Sequence, residues 1–202
     1  MMQNSVGTTA TAPLGMRGNR FKPLTWDALS PAQLKMANEV MAGKRGSMQG
    51  PYNVLLRSPE LGNLAQKFGA HTRYESSLPL ALNELAILLV ARFWSCQFVW
   101  WAHKRIALQV GLDEALIQAI AAGKSPQNLA VDVSLVFEFC NELLQAKTVT
   151  DATYAAVVER FAEVGVVDLM GTMSYYTLVC MLLNVDQYPL PDNAEPELKP
   201  MH

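Results

Sequence analysis

Cysteine is scarce in this chain of 202 residues: three, at positions 96, 140 and 180, odd in number and far apart, with no Cys-x-x-Cys among them. That pattern argues against a disulfide framework and against a zinc knuckle. Charge of either sign is thin as well. Sixteen basic and eighteen acidic side chains give a net charge of −2, and neither sign gathers into a long block, so a nucleic-acid footprint is not expected. Alternating β-branched runs between hairpin turns are nearly missing, which removes the signal for a sheet. Residues 1–20, "MMQNSVGTTATAPLGMRGNR", hold no apolar run long enough for a secretory signal and read as a flexible arm of a cytoplasmic protein. The longest uncharged stretch, 169–185, contains Ser174, Tyr175, Tyr176, Thr177 and Asn184. Crossing a bilayer takes roughly 20 mostly apolar residues, so this segment is expected to be a buried core helix and no membrane partner is expected.

What the chain has is apolar residues, half of the total, enough for one substantial core. Pro, Gly and Ser interrupt them at helical intervals, so the expected class is all-α, a multi-helix bundle. Ser30 as N-cap, Pro31 at the first position and Gly43 as stop predict a helix over 31–42. "SPELGNLAQKFGAH" starts a second, toward residue 70. "LALNELAILLVARF", 80–93, is apolar almost all round, as suits the central helix of a bundle. A bend is expected near Trp94, with Ser95 capping the next helix and Gly111 ending it. Further helices are predicted over 113–122, 126–147, 151–163 and 166–184. The domain is thus placed at 21–187, followed by an extended Pro-rich tail, 188–202, expected to lie on a neighbouring subunit.

Chemistry concentrates in "RFWSCQFVWWAHKR", 92–105. Cys96 and His103 are seven residues apart, which on a regular helix puts them on one face but about 10 Å apart along its axis. A water or a third side chain has to connect them. Glu84, twelve residues before Cys96 and the sole acid between Glu75 and Asp113, could swing between thiol and imidazole if the chain bends near Trp94. A carboxylate among "LALN" and "LAILLV" is costly to bury unless it is paired.

The spacing Glu-x11-Cys-x6-His within residues 83–112 resembles the core motif of the carboxymuconolactone decarboxylase and alkylhydroperoxidase D superfamily. The resemblance covers about thirty residues and implies an alkylhydroperoxidase D-like bundle that assembles as a homo-oligomer, trimer or hexamer. It also implies Glu84, Cys96 and His103 as catalytic positions. In the peroxidase branch a second cysteine follows three residues after the first; here that position is Val99. The resemblance therefore implies a single-cysteine, peroxiredoxin-type antioxidant enzyme, in which a Cys96 thiolate reduces a peroxide and an external thiol restores it. The decarboxylase branch implies the alternative, a cofactor-free decarboxylase or isomerase of a small carboxylated lactone or aromatic-derived acid. There Glu84 and His103 would handle the proton, Cys96 would be a spectator, and Arg73, Arg92 and Arg105 are the nearest cations for the substrate.

Around this core, His71, Tyr74 and Trp100 are candidate pocket residues. For each, a structural role competes: loop decoration for His71 and Tyr74, core packing for Trp100. Tyr175 or Tyr176 could supply a pocket wall or simply pack. Cys140 and Cys180 read as inert core. No second histidine or carboxylate lies at ligand spacing on the His103 helix, so neither metal nor cofactor is expected.

Overall fold

The computed structural model describes residues 15–199. Among them are eight α-helices, one 3-10 turn (Trp26–Ala28) and no strand: α1 Pro31–Ala42, α2 Tyr52–Leu55, α3 Pro59–Tyr74, α4 Leu80–Phe93, α5 Gln97–Gln109, α6 Glu114–Ala121, α7 Val131–Ala146 and α8 Asp151–Asp186. The all-α class follows. α1 begins as its sequence predicts, with Ser30 Oγ accepting from the Gln33 amide and Gln33 Oε1 accepting from the Ser30 amide, a reciprocal capping box behind Pro31.

α4 is the hub. From Leu82 to Arg92 every residue is buried, and α5, α6, α7 and α8 all pack on it. A second, smaller core joins α1, α2 and the near side of α3 through Met36, Val40, Met48, Tyr52 and Leu56. Asn83 ties α4 to its neighbours, donating to Thr72 O (2.8 Å) and accepting from Thr172 Oγ1 (2.7 Å). α3 and α8 approach closely at Gly69, where a Cβ would stand 2.1 Å from the Tyr175 ring.

Three expectations need correction. Ser95 does not cap α5. It adopts φ 48° as the left-handed residue after α4, with Ser95 N bonded to Arg92 O and Cys96 N to Ala91 O, the double closure of a Schellman turn. Cys96 is then the N-cap residue of α5. The two helices expected over 151–163 and 166–184 are present within α8, which is two helices joined at a kink at Ala162 (φ 58°, ψ 176°). As far as residue 199 the tail lies on its own chain: Gln97 Nε2 donates to Leu198 O (2.7 Å), Gln97 Oε1 accepts from the Glu197 and Leu198 amides, and Leu198 joins the main core; residues 200–202 lie outside the described residues. Residues 15–20 of the expected arm are also anchored: Met16 is buried, and the Asn19 and Phe21 amides donate to the buried Asp186 carboxylate; residues 1–14 of that arm lie outside the described residues.

By length and composition α8 could pass for a membrane span, yet half of its most apolar window is buried within the fold. That is how a core helix behaves.

Candidate functional site

Glu84 projects from mid-α4 and His103 from mid-α5. The Schellman turn between them folds α5 back onto α4, and the two side chains meet: His103 Nδ1 lies 2.7 Å from Glu84 Oε2. Glu84 is fully buried and His103 is 6% exposed. A carboxylate can only accept, so Nδ1 carries the hydrogen and Nε2 is the nitrogen left to exchange a proton with a ligand. Glu84 Oε1 has no protein partner.

His103 lines a cavity of about 200 Å³, together with Arg45, Arg73, Val99, Tyr175 and Tyr176. Tyr176 sets its ring edge-on to the imidazole at 4.8 Å. The hydroxyls of Tyr175 and Tyr176 and one nitrogen of Arg45 are buried without partners, although such groups are nearly always satisfied in folded proteins. Burial drives the Tyr176 phenol well above its ordinary range, with Arg73 opposing the rise and Glu84 adding to it. Tyr176 is therefore a neutral hydroxyl. Two guanidinium groups, two free hydroxyls and one basic imidazole nitrogen suit a small anion that can gain or lose a proton.

Cys96 is elsewhere. The residue, 1% exposed, lines a separate groove of about 450 Å³ between the start of α5 and the end of α8, shared with Trp94, Gln97, Asn184 and Gln187. Phe98 and Leu183 border both spaces. Glu84, expected to connect thiol and imidazole, pairs with the imidazole, while the thiol's partner is Cys180. That hydrogen bond holds the Cys96 thiol below its ordinary value against the opposing effect of burial, and the Val99 and Phe98 amides at the α5 N-terminus help. Cys180 is driven up strongly by burial and by its neighbour. Cys180, read as inert core, is fully buried in the main core. Cys140 is fully buried, and burial alone raises its thiol.

Compared with models of known protein families and with curated proteins, the chain matches none.

The three further pocket candidates fall outside the cavity wall. His71 is half-exposed and leans on Glu75 (3.5 Å) and Asp168 (3.8 Å); two residues from both Gly69 and Arg73, it is carried about 200° round α3 from the face that meets the cavity. Tyr74 stands behind the site, its ring under the Arg73 guanidinium at 5.4 Å and the Lys44 ammonium at 5.6 Å. Trp100 is 1% exposed and belongs to the main core. Of the three expected cations only Arg73 reaches the cavity. Arg92 holds the tail at Lys199 O, and Arg105 lies over the Trp101 ring. Sequence reasoning missed Arg45, in a Gly-rich loop with no motif around it, and Asn83, which locks the backbone beside Glu84.

Proposed function

We propose that this protein is a cofactor-free acid/base catalyst, a decarboxylase or isomerase of a small carboxylated lactone or aromatic-derived acid, in keeping with its resemblance to the carboxymuconolactone decarboxylase branch. One observation carries the reading: the buried Glu84–His103 pair (2.7 Å) serves a cavity that also holds Arg45 and Arg73. The guanidinium groups seat a carboxylate that is not lost, by paired charge-assisted hydrogen bonds. The scissile carboxylate leaves as carbon dioxide, and its bonding electrons pass to a conjugated carbonyl whose oxygen faces the Tyr175 and Tyr176 hydroxyls. The His103 imidazolium then delivers its proton to carbon and regains one from water. In an isomerase the same nitrogen takes a proton from one carbon and returns it to another. Glu84 keeps the ring oriented through its contact with Nδ1.

Carbon dioxide release from a panel of carboxylated lactones and unsaturated keto acids tests the proposal. His103→Gln should lower kcat by about 10²- to 10⁴-fold, Glu84→Gln should follow it, and Cys96→Ala should leave turnover within a small factor of the parent. Equal loss in Cys96→Ala and His103→Gln would overturn the assignment.

A second reading is favoured by the lowered Cys96 thiol at the edge of an open groove: peroxide reduction at Cys96 with an external thiol as reductant. For either reaction we place the protein in the cytoplasm, where its three free thiols stay reduced. We also propose that it self-associates through α8. Val164, Val167, Met170, Met181 and Val185 lie exposed along it, with the exposed Ser174 between them, whereas Gly171 faces Phe68 and Thr72 of α3 and Leu178 packs on the smaller core. A trimer or hexamer is what the resemblance implies.

A further inference from the structure

Cys180 lies four residues before Asn184 on α8, and Asn184 Nδ2 donates to Trp94 O at 2.8 Å. This bond clamps α8 against the turn that presents Cys96. The two thiols, 84 positions apart in sequence, are both buried in the same apolar cluster, and each shifts the other's titration. Their accessibility differs. Cys96 floors the groove, whereas Cys180 lines neither the groove nor the cavity. Cys140, the remaining thiol, lies on α7 and has no such neighbour.

We propose that Cys96 and Cys180 form a dithiol–disulfide couple, with Cys96 meeting the oxidant from the groove and Cys180 closing the bond from within. The inference rests on the second reading above, that Cys96 is oxidised, and supplies the internal partner that Val99 cannot provide. With a hydroperoxide, the Cys96 thiolate attacks the distal oxygen; the O–O bond breaks, the alkoxide or hydroxide leaves and takes up a proton, and Cys96 becomes a sulfenic acid. The Cys180 thiol then attacks the Cys96 sulfur, an S–S bond forms, and water leaves with the thiol proton. Reduction needs two thiol equivalents from an external dithiol or low-molecular-weight thiol. The first attacks Cys96, the cysteine that borders the groove, and expels Cys180, which is reprotonated. The second resolves the mixed disulfide. Because Cys180 holds its proton tightly it is a slow leaving group, so the oxidised form persists once made.

The full-length protein, treated separately with diamide and with stoichiometric hydrogen peroxide, then alkylated and mapped by peptide mass spectrometry, tests this. Diamide should link the peptides carrying Cys96 and Cys180 in the parent and in Cys140→Ser. Peroxide should give the same link, with dimedone trapping a Cys96 sulfenic acid only in Cys180→Ala. A diamide-treated parent with no such link would overturn the couple without depending on how any variant folds. A Cys96–dimedone adduct in the peroxide-treated parent as abundant as in Cys180→Ala would also overturn it, while leaving single-cysteine peroxide chemistry standing. A diamide link with no oxidation by peroxide would support the couple and remove peroxide as its oxidant.

Discussion

At the scale of single residues, the cavity owes its shape to a side chain that is missing. Gly69 lets the Tyr175 ring lie where a Cβ would sit, 2.1 Å from that position and 2.3 Å from the hydroxyl. The ring cannot retreat freely, since Phe68 and Tyr176 hold it edge-on at 5.6 and 5.3 Å. Gly69→Ala would gain helix propensity, up to about 1 kcal/mol, but overpacking costs typically 1–3 kcal/mol, and the overlap here is severe. The overlap wins. The variant is expected to lose about 1–2 kcal/mol in chemical denaturation and, because Tyr175 must swing across the cavity, to raise KM for a carboxylated substrate more than it lowers kcat. An unchanged KM would show that the Tyr175 hydroxyl does not touch the substrate. Residue-scale legibility was uneven for a physical reason. Glu84 stood out because an acid inside an apolar helix demands a partner, and His103 was the base within reach. Arg45 carried no such signal, since a cation in a polar loop is unremarkable until the fold buries one of its nitrogens.

At the scale of elements, the bend between α4 and α5 brings Glu84 to His103 and sets Cys96 apart from both. Trp94 was readable as the corner from the end of the apolar run, but Ser95 was not readable as its pivot. A serine before a helical pattern ordinarily means an N-cap, and here the Schellman closure at Arg92 and Ala91 claims it for the preceding helix. An L-residue held at φ 48° costs roughly 1–2 kcal/mol relative to the right-handed region, a cost glycine does not carry. Ser95→Gly is therefore expected to stabilise the protein by about 0.5–1 kcal/mol after glycine's larger loss of chain entropy, read as a higher urea midpoint at constant slope. A lower midpoint would mean that the serine hydroxyl contributes more than the strain removes. In α8 the break expected between 163 and 166 falls close by, and Gly165 just beyond it sits where a Cβ would meet that of Phe161 at 2.4 Å. The irregular residue is Ala162, an apolar position with no breaker chemistry to announce it.

At the scale of the whole molecule, sequence pattern gave the helical class and the central place of α4, since eleven consecutive buried residues leave a nearly unbroken apolar run. It could not place the tail. Four prolines between 189 and 200 exclude a helix without saying what the segment lies on; Gln97 and Leu198 decide that through contacts a hundred positions away. The same limit applies to α8, whose inner face is fixed by α4 and whose Val164, Val167, Met170, Met181 and Val185 stay exposed. An exposed valine taken singly means little, but a seam of such residues along one helix is a surface suited to another helix. A second copy of α8 fits it, with the exposed Ser174 at the centre of the seam and valine or methionine toward either end. Light scattering on a sizing column should then return a multiple of the 22.3 kDa chain mass for the parent. Val167→Glu with Met181→Glu, which places carboxylates in the seam and leaves the buried face of α8 untouched, should return the monomer mass with an unchanged circular dichroism spectrum. A monomeric parent would remove the seam's role, and an intact oligomer in the double variant would move the interface to the exposed Leu61, Leu64 and Phe68 of α3.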